Sequence, residues 1–259
     1  MKRRTHVKRR KYIVISIIIL GAVCIGGLAT VHFIREPETN TKQAKKTTKS
    51  EKSAQAQQPQ QPTFNKNLHS LDDPASIWVV VNKTRPLQPK DYTPSDLVGV
   101  GNGQQMRAEP AKALQTMIQD AKTQGLNIRP LSGYRSYTTQ VSVYNNEVRT
   151  YGQAVADTQS ARPGTSEHQT GLAIDIGGGG CGIEDCFGNT AEGKWVAANA
   201  YKYGFIIRYT PDKDHITGYR YEPWHIRYVG VELATEMHTN GMQTLEEFFG
   251  LPPAPDYIN

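Results

Sequence analysis

The chain predicts an α+β domain built on a small antiparallel sheet flanked by helices, and three observations lead to that class. Segments with helical spacing and short strand-like runs are mixed along residues 65–259, without the regular alternation of a doubly wound sheet. That stretch is long enough to bury a core as one compact domain. The residues before it have little to add to such a core, being first basic, then apolar and then polar.

Residues 1–11, "MKRRTHVKRRK", carry seven Lys or Arg and no acid. Residues 12–34 follow as a run of roughly 20 apolar residues, enough to cross a bilayer as a helix. A basic segment before such a run reads as an uncleaved signal anchor, single-pass, with its basic end in the cytoplasm and the domain outside the cell membrane. The alternative is a cleaved signal peptide and a secreted domain. The run is long for that, and no clean small-x-small site follows it. Residues 35–64 are rich in Lys, Thr, Gln, Ser and Pro and read as a disordered linker.

The formal net charge of +6 is unevenly divided. Residues 1–64 hold 13 basic and 3 acidic residues, whereas residues 65–259 hold 17 basic and 21 acidic. The domain itself is therefore acidic, and no nucleic-acid partner is expected, since that footprint would lie on the domain. No association motif is present, so a monomer is expected.

Along the domain, "SIWVVVNK" (76–83) reads as a buried strand bounded by polar turns. "EPAKALQTMIQDAKTQG" reads as a helix. Pro110 lies in its first turn, Leu114, Met117, Ile118 and Ala121 share one face, and Gly125 ends it. "NIRPLSGYR" reads as a short strand leading into a loop. The spacing of Tyr137, Val141, Tyr144, Val148 and Tyr151 predicts a helix stopped by Gly152, its tyrosines serving the core rather than a binding platform. A helix over "TAEGKWVAANAYKYG", a strand over "FIIRY", the segment "EPWHIRYVG" and helices near 231–239 and 243–249 complete the order. Cys181 and Cys186, in "GGGGCGIEDCFGN", read as a small disulfide loop outside the membrane, with a metal-binding pair as the weaker alternative.

The chemistry concentrates in two segments. In "SEHQTGLAIDIG", Leu172, Ile174 and Ile176 alternate with Ala173 and Asp175, so Asp175 can look into a cleft while its neighbours pack. His168 precedes the strand, and Gly171 lets the backbone bend between them. By itself the segment would equally suit a surface loop with a satisfied histidine. In "EPWHIRYVG", Glu222 lies three residues before His225, and Pro223 must break the strand to turn Glu222 toward the same cleft.

His168, Asp175 and His225 together supply two imidazoles and a carboxylate, which suits one catalytic zinc with an open position for water. Zinc lowers the pKa of its water to roughly 7, and Glu222 would be the general base that takes the proton and hands it to a leaving amine. Arg135, in "SGYRSYTTQ", is the candidate cation for a developing oxyanion. His215 is the competing ligand, placed at the rim by its polar loop, and His69 and His238 read as surface residues.

From 77 to 250 the domain resembles the VanY-type D-alanyl-D-alanine carboxypeptidases, zinc peptidases of the group shared with lysostaphin and the hedgehog signalling domain. The resemblance rests on "WVVVNKTRPLQPKDYTPSDLV", "LSGYRSYTTQ", "SEHQTGLAIDIG" and "EPWHIRYVG", in that order. It implies that His168, Asp175 and His225 hold zinc, that Glu222 is the base, and that Arg135 steadies the scissile carbonyl. It further implies that Gln140 and Ser166 help hold the substrate's terminal D-alanine. The substrate would be the peptidoglycan stem peptide, shortened by one D-alanine. L,D-carboxypeptidases and endopeptidases share the resemblance, and a wall-peptide-binding module without catalysis is the reading from another class. The presence of Glu222 argues against that last one.

Overall fold

The computed structural model describes residues 64–258. The basic segment, the apolar run and nearly all of the linker lie outside the described residues. No helix among the described residues is long and apolar enough to cross a membrane.

A hairpin opens the regular structure: β1 (Leu97–Gly101) and β2 (Gln104–Arg107) pair antiparallel around Asn102-Gly103, where both residues take positive φ. Helix α1 (Ala108–Thr123) follows directly and buries Pro110, Ala111, Leu114, Met117 and Ala121, close to the predicted face. Strand β3 (Arg129–Ser132) leads to α2 (Tyr137–Tyr151), which starts on Ser136 and stops at Gly152. The Ser136 side chain accepts from the Thr139 amide as a cap, and Gly152 takes φ 82°. Short α3 (Gln153–Gln159) packs back against α2. Then come β4 (Ala173–Gly177), α4 (Ala191–Asn199), β5 (Phe205–Ile207), α5 (Asp214–Thr217), β6 (His225–Tyr228), α6 (Val231–Thr239) and α7 (Leu245–Phe249).

The main sheet has the order β3-β4-β6-β5, and every neighbouring pair is antiparallel. This is the expected class, an α+β domain with small antiparallel sheets and helices. The two central strands are buried along their whole length, and the charged or titratable residues they carry, Asp175, His225 and Arg227, each face an oppositely charged or polar partner there. Ile174, Ile176 and Ile226 join Leu114, Met117, Phe187 and Phe205 in one core cluster. A second cluster gathers Trp78, Val80, Val229, Leu233 and Phe248.

The run 76–83 departs from expectation. Trp78, Val79, Val80 and Val81 are buried as predicted, but they form no strand. Their backbone groups find side-chain partners in place of a ladder. Arg227 donates to the carbonyls of Ile77 and Val79, and Arg85 donates to that of Val80. A buried guanidinium with several donors can satisfy extended backbone as a neighbouring strand would.

The tyrosine stripe of α2 also differs from the core face expected of it. Only Gln140 of this helix is buried, and Tyr151 is 57 % exposed. The helix is held by polar bonds instead. Tyr144 donates to Asp157 Oδ1 at 2.7 Å, and Arg162 pairs with the same carboxylate at 2.9 Å. That brace fixes the loop just before Ser166.

Candidate active site

Asp175 and His225 are cross-strand partners in the β4–β6 register, so regular pairing alone sets them face to face. His168 arrives on a single 3₁₀ turn, Glu167–Thr170, which ends at Gly171 with φ 67°. A side chain at 171 would be strained there and would also crowd Arg107, which is the bend expected of that glycine. The three side chains converge. His168 Nε2 lies 3.3 Å from Asp175 Oδ2, and His225 Nδ1 lies 3.2 Å from Asp175 Oδ1. One ligand atom from each residue can be chosen so that all lie within 4.8 Å of one another.

The remaining ring nitrogens are already engaged. His168 Nδ1 is 2.8 Å from the Gly133 carbonyl, and only glycine permits that approach, because a Cβ at 133 would meet the Gln105 carbonyl oxygen at 2.3 Å. His225 Nε2 is 3.3 Å from Glu167 Oε2. With those nitrogens donating outward, His168 Nε2 and His225 Nδ1 present lone pairs inward. Asp175 Oδ1 is buried without a hydrogen bond. Two imidazoles, a carboxylate with an unsatisfied oxygen, and outward partners on both rings are the donor set that suits zinc.

The electrostatics of the metal-free site agree with that arrangement at Asp175 and His168 and oppose it at His225. Burial alone would raise Asp175, but His168 and His225 outweigh it and hold its carboxyl well below the usual carboxylate range. Burial, together with the nearby Arg135 guanidinium, pulls His168 down and keeps its ring neutral. Burial also acts to lower His225, yet the neighbouring Asp175 and Glu167 carboxylates prevail and raise it to about 9, so Nδ1 must give up a proton before it can hold a metal.

Glu222 lies just before β6, and Pro223 and Trp224 form the turn that the sequence required: the His225 amide donates to the Glu222 carbonyl. This brings Glu222 Oε2 to 3.8 Å from His225 Nδ1. Burial, reinforced by Asp175, pushes the Glu222 carboxyl up to about 8. A carboxyl in that range can accept and release a proton near neutrality. Arg135 lines the same cleft half-buried, and its Nε, an enclosed atom, has no hydrogen-bond partner among the described residues. Burial lowers it, and the facing Asp175 and Glu222 oppose that effect.

All of these groups open on a cleft of about 530 Å³. Ser166 lines it beside His168, and its far walls come from Val143, Glu147 and Tyr151 of α2 and from Ile183 and Glu184. The last two sit in a loop closed by a disulfide between Cys181 and Cys186, in line with the staple expected of that pair. Two expectations need correction. Gln140, expected to help hold the substrate, is fully buried and not among the residues lining the cleft; its amide donates to the Ala161 carbonyl at 2.7 Å, and its Oε1 has no partner among the described residues. Tyr151, assigned to the core, stands on the cleft. His215 lies in α5 and lines a separate cavity of about 550 Å³. His69 and His238 are exposed, as expected.

Sequence reasoning passed over Glu167. It is 1 % exposed and bonded to Arg208, Arg227 and His225. The signal was an acid inside a segment otherwise destined for burial, beside a candidate ligand.

Comparison with known proteins decides the family. The sequence matches the VanY family, described as D-alanyl-D-alanine carboxypeptidase, over residues 103–231. The chain is 47 % identical over 193 residues to the putative carboxypeptidase YodJ of Bacillus subtilis, covering 70 % of each protein. The chain belongs to the VanY family. Among solved structures it is similar to the LdcB LD-carboxypeptidase, at 46 % identity and a TM-score of 0.63, covering 68 % of this chain and 87 % of that one. It is also similar to a VanY D,D-pentapeptidase from a VanB-type resistance cassette solved with Zn(II), at 36 % identity and a TM-score of 0.59, covering 66 % and 97 %. The VanY match takes in Arg135, Ser166, Glu167, His168, Asp175, Glu222 and His225.

Proposed function

We propose that the chain is a zinc-dependent carboxypeptidase that removes the C-terminal D-alanine from peptidoglycan stem peptides, cleaving the D-Ala-D-Ala bond. The observation that carries this reading is the convergence of His168, Asp175 and His225 at one end of a cleft that Glu222 and Arg135 also face. His168, Asp175 and His225 would hold the zinc. When bound, it would act as a Lewis acid and make water a competent nucleophile near neutral pH. Glu222 takes a proton from the attacking water and delivers it to the departing amine nitrogen as the C–N bond breaks. Arg135 offers a fixed cation to the oxygen that gains charge when the carbonyl carbon becomes tetrahedral. Water's oxygen stays on the shortened peptide as its new carboxylate, and the amine leaves on free D-alanine.

A second reading, cleavage of the L,D bond of a tetrapeptide stem, is favoured by the 46 % identity to the LdcB LD-carboxypeptidase. The two differ in what the cleft accepts upstream of the bond. Incubating the zinc-loaded chain with pentapeptide and tetrapeptide stems separately, and following D-alanine by mass spectrometry, distinguishes them. Release from the pentapeptide supports D,D cleavage, and release from the tetrapeptide alone replaces it with L,D cleavage. Release from neither sinks the trimming function.

We also infer that residues 1–11 and 12–34 anchor the chain in the cell membrane, with residues 35–64 as a tether and the catalytic domain of residues 65–259 outside. The basic and apolar runs support this. Protease added to intact cells should then remove the domain.

A further inference from the structure

Glu167 is a carboxylate without water. Burying such an ion costs several kcal/mol unless its oxygens are well satisfied. Here the two oxygens are satisfied by different partners. Oε1 accepts from Arg208 Nε and from Arg227 Nη1, both at 2.8 Å. Oε2 is thereby left to face His225 Nε2, at 3.3 Å. The arginines are themselves fixed. Arg208 forms a bidentate pair with Glu246 at 2.9 and 2.7 Å, and Arg227 donates to the carbonyls of Ile77 and Val79. A network of this kind is a poor way to gain stability, because apolar side chains of the same volume would do as well or better. Its one outlet toward the cleft is Oε2.

We propose that Glu167 is a positioning residue for His225: Oε2 accepts the Nε2 proton, so that the Nδ1 lone pair is held toward the point shared with His168 and Asp175. Since Glu167 and His168 are consecutive on one 3₁₀ turn, that turn both contributes a ligand and orients the ligand opposite. This role rests on the zinc reading of the site. It belongs to geometry, and its loss weakens metal binding before any chemistry begins.

The test is zinc affinity, measured on the full-length chain by competition with a chromophoric chelator. In Glu167→Gln a single carbonyl oxygen must serve three donor groups, and affinity should fall about 10- to 100-fold. The visible spectrum of the cobalt-loaded variant should change as well. Glu246→Gln, which strips Arg208 at its far end without touching His225, should lower the melting temperature and leave zinc affinity unchanged. Unchanged affinity and spectrum in Glu167→Gln would overturn the inference, even if that variant melts early. Should the variant not fold, long-range ¹H–¹⁵N spectra of the zinc-loaded wild type decide. A proton on His225 Nε2 supports the role, and a proton on Nδ1 overturns it. A wild type that binds no zinc defeats the metal reading itself, an outcome separable from tight wild-type binding with an indifferent variant.

Discussion

Asp175 and His225 face each other across the β4–β6 ladder, Oδ1 3.2 Å from Nδ1, with the second imidazole delivered by a turn seven residues upstream of the aspartate. Two of the three candidate ligands therefore inherit their spacing from sheet geometry. The predictions below follow from that arrangement and from the charges around it.

Glu222→Gln preserves volume and removes the proton carrier. kcat on the stem peptide should fall by about 10²–10⁴-fold, while zinc stoichiometry and the melting curve stay as in wild type. Retained turnover with normal zinc content would mean that another group moves the proton.

Arg135→Met removes a half-buried cation whose Nε has no partner among the described residues. If Arg135 acts on the developing oxyanion, kcat should drop about 10²–10³-fold with bound zinc unchanged. A variant that changes only KM would assign Arg135 to ground-state binding instead.

Zinc should stabilise the fold in proportion to its free concentration. At about 100 times its Kd the gain is about 2.7 kcal/mol, provided the unfolded chain does not bind it. Scanning calorimetry across a zinc titration, after chelator treatment, checks this. A melting temperature indifferent to zinc would argue against the site.

The Arg208–Glu246 pair gives a pH dependence of known sign. Burial would raise Glu246, but Arg208 outweighs it and lowers the carboxyl from its ordinary 4.5. A depressed folded-state pKa adds stability that is fully present above 4.5 and is lost as pH falls through the folded value. Glu246→Gln should destabilise the protein at neutral pH, by less than the about 3–5 kcal/mol of a wholly unpaired buried charge, since Arg208 loses one carboxylate partner and keeps Glu167. It should also flatten the acid limb of the melting temperature against pH. An acid limb identical to wild type would show that other carboxylates dominate it.

The parts of the site legible in the sequence were those set by local rules. Alternation placed Asp175 apart from Ile174 and Ile176, Pro223 foretold the break that turns Glu222, and the αL bend fell at Gly171. The parts that were not legible depend on partners distant in the chain. Glu167 looks like any helix-start acid until Arg208 and Arg227 meet it, and Gln140 looks available until Ala161 takes its amide. Likewise 76–83 has strand composition but finds its donors on Arg227, and the tyrosines of α2 keep core-like spacing on a helix that has a cleft on one side. The short hairpin of β1 and β2 did carry a local signal, Asn102-Gly103, but its strands are too short and too exposed to show alternation.

The two histidines differ in what stands behind them. His168 leans on the carbonyl of Gly133, a main-chain atom that every amino acid carries, whereas His225 leans on the side chain of Glu167. A change at 167 swaps the second support for another side chain, whereas the first can be disturbed only through the backbone, by a side chain at 133 that would press on the Gln105 carbonyl. Heritable adjustment of how firmly the site grips its metal can therefore be graded on the His225 side, through the side chain at 167, while on the His168 side it is all or nothing.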